Sequence, residues 1–433
     1  MNKQISPAAV TLFTGGIDPH YACALGKALA SSGLALDVVA NAEMASCEMR
    51  SFSNLRLLPF HPSPRPGQSL VGKLFSFIAV YLRIIFYAVT SSAHTFHILW
   101  NYKFQFFDRT LLLLYYKVLG KKVVFTAHNV NAAERDGVDT WLNRLTLSIQ
   151  YRLLDHIFVH TESMKDQLAR SFGIGESKIT VIPFGVGGMV PQTALTPAEA
   201  KPRLHLSKSD RTILFFGRIT RYKGLDLLVD AFGKLALHDR SYRLIIAGEP
   251  IKESAELWEE LHKIIESSPM REHVIQEIRY VADDEMEVYF KASDVLVLPY
   301  KQIFQSGVLF MSHSFGLPVI ATDVGTFRDD IAEGTNGYVC RPNDANDLAK
   351  TIERYFSSDL FGSLDERRAG IQNSVRLSHS WDIVGKTTAD IYSRLAQHTP
   401  LDHSASSAHS ARVPLSNQSG IAESHDSGIP GLK

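Results

Sequence analysis

The sequence predicts an α/β protein in which two largely parallel sheets are each covered by helices. Short runs rich in β-branched and aromatic residues alternate with amphipathic helical stretches along almost the whole chain. Such alternation is typical of β–α–β units, which place neighbouring strands parallel in one sheet. A stretch rich in Gly, Pro, Thr and Ala at residues 185–211 separates the strands into two groups. We therefore expect two doubly wound halves joined by a linker.

Five strands are expected in each half. Those of the first half cover residues 9–13, 36–40, 123–126, 156–159 and 179–182. Those of the second half cover residues 212–216, 242–247, 274–278, 295–298 and 318–321. A last helix is predicted at residues 380–397. The remainder from residue 398 has few large apolar side chains, so we expect it to be disordered.

Length and composition restrict the class of protein. A chain of 433 residues that is 45% hydrophobic and 21% charged can form two domains with substantial cores. The 45 Lys and Arg residues balance the 45 Asp and Glu residues, which argues against nucleic acid as a partner. Three cysteines without CxxC spacing predict neither a disulfide scaffold nor a zinc site and fit a reducing compartment. The first residues lack the long apolar stretch of a secretory signal, so a cytoplasmic location is expected.

The longest apolar run, at residues 74–89, has two interpretations. Lys73 precedes the run and Arg83 interrupts it. In the first interpretation it is a buried helix of an α/β domain. In the second it lies in a membrane interface, with both basic side chains at lipid phosphates. The run falls short of the roughly 20 apolar residues that span a bilayer, and periodicity alone does not separate the two interpretations.

The most informative segment, at residues 212–236, predicts a phosphate-binding loop. A buried strand runs into Gly217, and a basic loop then leads to a helix that begins after Gly224. The loop lies at the carboxyl end of a strand, where open α/β sheets bind ligands. Arg218 and Lys223 on this loop offer a planar fork of donors and a compact charge, which together suit a diphosphate. A solvated basic turn is the simpler alternative.

A second anion site is predicted where another strand is followed by Gln305, Ser306 and Gly307. The helical run begins at Val308, so free backbone N–H groups and the positive end of the helix dipole would face a phosphate. Ser306 alone is weak evidence, because serine is a common helix N-cap. Two cations and a helix N-terminus could stabilise a departing diphosphate without a metal. The sequence shows no Asp-x-Asp pair at a strand end and no His/Cys cluster, so no metal or other cofactor is expected.

Polar residues also follow strands of the first half. His128 ends a strand and could donate a hydrogen bond to a substrate hydroxyl or oppose developing charge; it could equally be satisfied by backbone. Glu134 could hold substrate hydroxyls or only cap the next helix. Gly15 and Gly16 form the first strand–helix turn, where backbone can approach a ligand from the opposite side.

Read together, these segments resemble the retaining glycosyltransferases of family 4, which have the GT-B fold. The resemblance extends from about Val10 to Leu395 and rests on the segments FFGRITRYKGLDLLVDAF, FTAHNVNAAE, FVHTESMKDQL, VIPFGV, ASDVLVLPY and SFGLPVIATDVGTFRDDIAEGTNGYV. It implies two Rossmann-like domains facing a cleft. They would be an acceptor domain at residues 1–190 and a nucleotide-sugar domain at 191–380, followed by a helix at 381–397 that crosses back to the first domain and a disordered tail at 398–433.

The resemblance also implies roles for individual residues. Arg218 and Lys223 match the donor diphosphate clamp, His128 matches the cleft histidine near the transferred sugar, and Gly15 with Gly16 matches the first glycine loop. The chain departs from the family at its Glu-x7-Glu pattern, where Ile303 and Met311 stand instead. The side chains of Gln302, Gln305 and Ser306 could take over part of donor recognition, as in a branch of the family with Ser-Gly at the first acidic position.

The expected function is metal-independent, retaining transfer of a sugar from a nucleotide-diphosphate donor to a saccharide or lipid-linked saccharide. Cell-surface polysaccharide biosynthesis, such as that of an exopolysaccharide, is the expected setting, in the cytoplasm and in peripheral contact with the inner membrane surface. The absence of paired carboxylates argues against ordinary glycoside hydrolysis. Two alternatives remain open: a non-catalytic subunit that binds sugar nucleotides or glycans, and a sugar phosphorylase of the same architecture.

Overall fold

The computed structural model describes residues 9–41, 44, 48–61, 69–135, 137–186 and 192–397. The tail that was expected to be disordered, residues 398–433, lies outside these ranges.

The first half of the chain forms a seven-stranded parallel sheet in the order β3-β2-β1-β4-β5-β6-β7. Its strands are β1 (Val10–Phe13), β2 (Leu36–Asn41), β3 (Leu55–His61), β4 (Thr95–Ile98), β5 (Lys122–Thr126), β6 (His156–Val159) and β7 (Ile179–Val181). Its helices are α1 (Pro19–Ser31), α2 (Leu70–Thr90), α3 (Gln105–Arg109), α4 (Leu111–Val118), α5 (Ala132–Arg135), α6 (Trp141–Leu153) and α7 (Glu162–Phe172).

The second half forms a six-stranded parallel sheet in the order β10-β9-β8-β11-β12-β13. Its strands are β8 (Arg211–Phe216), β9 (Tyr242–Ala247), β10 (Val274–Glu277), β11 (Val295–Leu298), β12 (Val319–Thr322) and β13 (Gly337–Cys340). The helices are α8 (Pro197–Arg203), α9 (Leu225–His238), α10 (Ala255–Glu266), α11 (Asp283–Ala292), α12 (Gly307–Ser314), α13 (Phe327–Asp330), α14 (Ala345–Phe356), α15 (Asp359–Gly362), α16 (Leu364–Ser378) and α17 (Trp381–Gln397).

The predicted fold class is confirmed, and all ten predicted strands are present within one residue at each end. Several central strands, including β1, β4, β6, β11 and β12, are buried along their whole length, as expected for parallel sheets covered on both faces. Three strands were missed. The edge strand β3 contains Pro59, β4 contains the buried His97, and the edge strand β13 begins at Gly337, and each of these residues weakens a strand pattern. The expected linker contains helix α8.

The last helix returns to the first domain, which confirms the predicted crossover. Helix α17 packs against α1, and a Cβ added to Gly385 would lie 2.8 Å from the Cβ of Ala28. The Tyr392 hydroxyl lies 2.5 Å from Nδ1 of His97 on β4. The C-terminal helix of the described chain therefore packs against elements of the first domain.

Helix α2 combines features of both interpretations of the apolar run. Val80, Ile84 and Ala88 are buried in the core of the first domain. On the other side of the helix, Phe75 is 68% exposed and Phe86 is 71% exposed. By length and composition the helix could cross a bilayer, but one of its faces is held against the domain.

The cysteines depart from the expectation. Cys23 on α1 is disulfide-bonded, whereas Cys340 is free and buried. Cysteine usage therefore gives no argument for a reducing compartment.

Candidate active site

The basic loop lies at the point where the strand order of the second sheet reverses. Strand β8 continues along the chain to β9 on one side, while its other neighbour is β11. Ligands of open α/β sheets bind in the crevice at such a switch point. Residues 217–224 follow β8, and the start of α12 follows β11, so both predicted anion sites flank this crevice.

Two glycines allow the loop to take this shape. Gly217 has φ +100°, and a Cβ on it would lie 3.0 Å from Lys223 Nζ and 3.9 Å from Val308 Cγ2. Gly224 has φ +67°, and a Cβ there would lie 2.0 Å from the Pro299 carbonyl oxygen. The structure thus brings the loop after β8 and the start of α12 together.

The two basic side chains of the loop differ in their surroundings. Lys223 is only 8% exposed, and burial lowers the pKa of its amine to about 8, with the nearby charge of Arg218 acting in the same direction. Arg218 itself is exposed. A buried amine beside a second cation is an unfavourable arrangement that an anion bound between them would relieve.

Two buried polar groups, on Ser306 and Gln305, lie just before α12. Ser306 is the N-cap residue and is buried, but its side chain makes no capping hydrogen bond. Oε1 of Gln305 is buried and has no hydrogen-bond partner within the described part of the chain. Burial raises the pKa of Asp330 to about 6, while hydrogen bonds with Thr326 and Gln305 act in the opposite direction. Gln305 therefore has one end held and one acceptor oxygen free.

His128 is held by contacts on its face and on one edge. Its ring stacks on Trp100 with centroids 4.2 Å apart and planes 5° apart, and its Nδ1 lies 3.1 Å from Nε2 of His160. Burial lowers the pKa of His128 well below its ordinary value, and His160 and His97 act in the same direction. Nε2 of His128 is buried and unpartnered among the described residues.

The neighbours of His160 fix the tautomer of His128. Nδ1 of His160 lies 3.3 Å from the Ile182 carbonyl oxygen, so this nitrogen must carry a proton. Burial lowers the pKa of His160 to about 4, which leaves its Nε2 as an acceptor at neutral pH. His128 must then donate from Nδ1, and its Nε2 becomes an acceptor. In this geometry Nε2 of His128 is an acceptor, whereas the sequence predicts a donor to a substrate hydroxyl or a group that opposes developing charge.

Phe184, between β7 and the linker, lies between the start of α12 and the histidine pair. A Cβ on Gly307 would lie 3.1 Å from Cζ of Phe184, and the Phe184 ring centroid lies 5.4 Å from that of His160. The start of α12 and the histidine pair are therefore separated by a single aromatic ring.

The other predicted acceptor-side residues have different surroundings. Gly15 has φ +62°, and a Cβ there would lie 2.7 Å from the Trp100 carbonyl oxygen. Gly16 also has positive φ and faces the His61 ring. Glu134 is exposed on the short helix α5, 3.5 Å from an Arg144 nitrogen, and its backbone N–H is capped by Asn131. These contacts favour a local structural role for Glu134.

A small pocket beside Gly15 contains polar residues that the sequence reading missed. The pocket has a volume of about 30 Å³ and lies between the first sheet, α2, α3 and α4. Three of its lining residues have a buried side-chain atom without a hydrogen-bond partner in the described structure: Nδ1 of His61, Oδ1 of Asn101 and Oδ2 of Asp108. Burial raises the pKa of Asp108 to about 6 and lowers that of His61 to about 4. Asp108 is the only acidic residue in positions 69–122, which is the signal that could have found it.

The described residues contain no group of three or more His, Cys, Asp or Glu side chains placed to hold a metal ion. Metal independence nevertheless remains a prediction.

Two segments of the chain match known protein families. Residues 19–187 match the sequence pattern described as Glycosyltransferase Family 4, and residues 210–358 match the one described as Glycosyl transferases group 1. The chain belongs to this family of glycosyltransferases. Within the glycosyltransferase, the first matched region covers β2 to β7 and the second covers β8 to β13.

Relatives of this glycosyltransferase are distant. It is 25% identical to an uncharacterized glycosyltransferase of Methanocaldococcus jannaschii, over 54% of this chain and 58% of that protein. It is 29% identical to a D-inositol 3-phosphate glycosyltransferase of Streptomyces bingchenggensis, over 55% of this chain and 52% of the relative. The aligned region thus spans little more than half the length of these relatives.

Solved structures confirm the GT-B fold of the glycosyltransferase. Sucrose-phosphate synthase from Thermosynechococcus elongatus superposes with a TM-score of 0.70 at 17% identity, covering 90% of this chain and all of that one. Anabaena HepE in complex with UDP and glucose superposes with a TM-score of 0.68 at 14% identity, covering 89% of this chain and 99% of HepE.

Proposed function

We propose that this glycosyltransferase moves a sugar from a nucleotide-diphosphate donor, with retention of configuration and without a metal, to a saccharide or lipid-linked saccharide. One observation carries the proposal: Gly217, Lys223 and Val308 lie within contact distance at the switch point of the second sheet, with Arg218 beside them. Two cations and a helix N-terminus around one crevice would suit a bound diphosphate, which supports the proposal.

These groups would act mainly on the leaving group. As the bond from the anomeric carbon to the diphosphate breaks, negative charge grows on the diphosphate and positive charge on the sugar ring. Lys223 is already desolvated, so its attraction to the growing charge is stronger than that of an exposed amine. Backbone N–H groups at the start of α12 would add fixed dipoles of the same sign.

His128 would contact the transferred sugar from the first domain. Its ring is neutral, and Nε2 is free to accept a hydrogen bond from a sugar hydroxyl. The stacked Trp100 and the paired His160 leave the ring little freedom, so this acceptor is positioned before the donor arrives. Gln305 would supply a second acceptor oxygen from the donor side, in place of the acidic pair replaced by Ile303 and Met311.

The small pocket beside Gly15 would receive a hydroxyl group of the acceptor. Its free polar atoms belong to His61, Asn101 and Asp108, and its volume suits about two water-sized groups. Because the pocket lies beneath α2, an acceptor held at the cytoplasmic membrane face could reach it. Cell-surface polysaccharide biosynthesis, such as that of an exopolysaccharide, is the setting that we propose.

A donor screen tests the function. Purified protein is incubated with a panel of nucleotide sugars and a lipid-linked acceptor pool, with UDP-sugars first because Anabaena HepE is known in complex with UDP-glucose. Nucleoside diphosphate release and a product heavier by one sugar are expected. Arg218→Ala should lose both. Arg240→Ala is the control. Arg240 is exposed just before β9, at the amino ends of the strands, whereas the basic loop lies at their carboxyl ends.

The same screen separates the two alternatives. The replaced acidic pair is the observation that favours a non-catalytic subunit. Such a subunit would be thermally stabilised by a nucleotide sugar and release no diphosphate. A phosphorylase would consume inorganic phosphate and need no nucleotide. Either outcome would overturn the proposed transfer.

A further inference from the structure

Helix α2 exposes a continuous apolar stripe to solvent. With 100° of rotation per residue, seven apolar positions fall within one sector of about 120° along the helix. These residues are 43% to 71% exposed: Val71, Leu74, Phe75, Ile78, Leu82, Phe86 and Val89. A stripe of this size is unusual on a soluble domain and marks an interaction surface.

Neighbouring helices extend the stripe. Helix α4 exposes Leu111, Leu114 and Val118, and the start of α6 exposes Trp141 and Leu145. The Tyr115 hydroxyl donates to the Ile85 carbonyl oxygen at 2.9 Å, which joins α4 to α2. Arg109 donates to Asn143 Oδ1 at 2.7 Å, which joins the end of α3 to α6. The exposed apolar residues of α2, α4 and α6 are called the apolar face below.

The charge around the apolar face is strongly positive, although the whole chain is neutral. Residues 69–122 contain seven Lys and Arg residues and one acidic residue, the buried Asp108. Lys73, Arg83 and Lys103 are exposed, and within the described structure none of them forms a salt bridge. Apolar side chains with basic side chains nearby that have no carboxylate partner suit a membrane interface, which is apolar inside and anionic at its surface.

We propose that the apolar face docks the protein onto an anionic phospholipid bilayer, with its apolar side chains in the interface and the three basic side chains at lipid phosphates. Helix α2 lies along the membrane, because Val80, Ile84 and Tyr87 on its other side pack into the domain. A symmetric contact with a second copy is less suited to this surface, since it would bring two positive boundaries together. Membrane docking is argued independently of the proposed function. Only its role, access to a lipid-linked acceptor, rests on that function.

Vesicle flotation of the full chain tests the proposal without any sugar donor. We expect the protein to float with vesicles that contain phosphatidylglycerol, and flotation to weaken with added salt or with phosphatidylcholine alone. The double variant Phe75→Glu/Phe86→Glu should bind at least about tenfold more weakly, because it places charge in the interface. The charge reversal Lys73→Glu/Arg83→Glu should cost about tenfold or more. Leu237→Glu and Leu377→Glu, which replace residues that are 71% and 76% exposed in the second half, should bind as wild type.

Several outcomes would overturn the proposal. Full recovery of folded wild type in the soluble fraction is one. A sedimentation shift from dimer to monomer in Phe75→Glu/Phe86→Glu would instead assign the apolar face to a second copy. Flotation that appears only after deletion of residues 398–433 would show that this segment occupies the face. Nucleotide release with a water-soluble acceptor should be unchanged in the double variant, so that failure of membrane docking and failure of catalysis are told apart.

Discussion

Nδ1 of His128 lies 3.1 Å from Nε2 of His160, and the Ile182 carbonyl oxygen lies 3.3 Å from the other nitrogen of His160. The Ile182 carbonyl oxygen thus determines which nitrogen of His160 carries a proton, and His160 in turn determines which nitrogen of His128 does. The last nitrogen of the series, Nε2 of His128, is the one left without a partner among the described residues. The backbone after β7 therefore determines which nitrogen of His128 is left to accept a hydrogen bond.

The first prediction concerns this pair. His128→Leu should lower kcat about ten- to a hundredfold, because a hydrogen bond of the transition state is lost. His160→Leu should also lower kcat, although His160 does not contact the sugar, because His128 can then present either tautomer. His160→Gln, whose amide can both donate and accept, should restore part of the activity. Equal losses in His160→Leu and His160→Gln would contradict the tautomer argument.

The second prediction concerns the diphosphate clamp. Arg218→Ala or Lys223→Ala should reduce turnover by about a hundredfold or more, because each removes a charge-assisted contact with the leaving group. Lys223→Arg should be only partly active, since a guanidinium does not fit the space beside Gly217. Steady-state kinetics with a saturating acceptor measures these effects. Near wild-type turnover in both alanine variants would exclude the clamp.

The third prediction follows from the pKa of Lys223, which lies near 8 in the ligand-free protein. Above this pH the amine loses its proton and with it the attraction for the donor. We expect kcat/KM for the donor to fall with an apparent pKa near 8, and Lys223→Arg to lack this alkaline decline. A wild-type kcat/KM that stays constant up to about pH 9.5 would contradict a role for the charged Lys223 amine in donor binding.

The same group affects stability in the opposite sense. The folded-state pKa of Lys223 is below the unfolded value, so the cost of burying the charge is present below pH 8 and is relieved as pH rises toward 10.5. Lys223→Met should therefore stabilise the ligand-free protein, by up to about 3 kcal/mol near pH 7. Urea unfolding at pH 7 and pH 10 measures this, and the advantage of the variant should shrink at pH 10.

The fourth prediction concerns Asp108 in the small pocket. Burial raises the pKa of Asp108 to about 6, so the folded state loses stability as pH rises from about 4 to 6. Asp108→Asn keeps an oxygen for the Tyr81 hydroxyl, which donates to Asp108 Oδ1 at 2.8 Å, and removes the charge. The variant should be more stable at pH 7 and should have a higher KM for the acceptor, with KM for the donor unchanged. A change in both KM values would argue against an acceptor pocket.

The fifth prediction concerns the crossover helix. Gly385→Ala places a methyl group 2.8 Å from the Ala28 Cβ and 3.1 Å from its backbone carbon, so we expect a loss of about 1–3 kcal/mol in unfolding free energy. Gly370→Ala in α16 is the matched control, because a Cβ there meets nothing within 4 Å, and it should stabilise by up to about 1 kcal/mol. Destabilisation by both variants in urea unfolding would mean that the α1–α17 contact is not the cause.

Much of the fold could be predicted because parallel strands are buried on both faces and appear as uninterrupted apolar runs. Strand β11 is an example, and so are the last four residues of β8 and of β9. Strand β3 could not be predicted in the same way, since an edge strand tolerates Arg56 and Pro59. The loop from Gly217 to Gly224 could also be predicted, because its glycines and cations are local features of the sequence.

The acceptor side depends on contacts that no local pattern contains. The orientation of His128 depends on Trp100, His160 and Ile182, which come from three other segments of the chain. The pocket depends on His61 and Asp108 meeting Gly15 across the switch point of the first sheet. The order of the strands in the sheet brings these residues together, and the sequence of a single strand does not predict that order.

The place of Phe184 between Gly307 and His160 has a consequence for how the substrates are recognised. Any rotation that brings the domains closer must shift the contacts on both sides of this one ring. Donor and acceptor affinities should then be coupled, each changing the other by the same factor, as linkage requires. A residue with no chemistry of its own would thus make the binding of each substrate depend on the presence of the other.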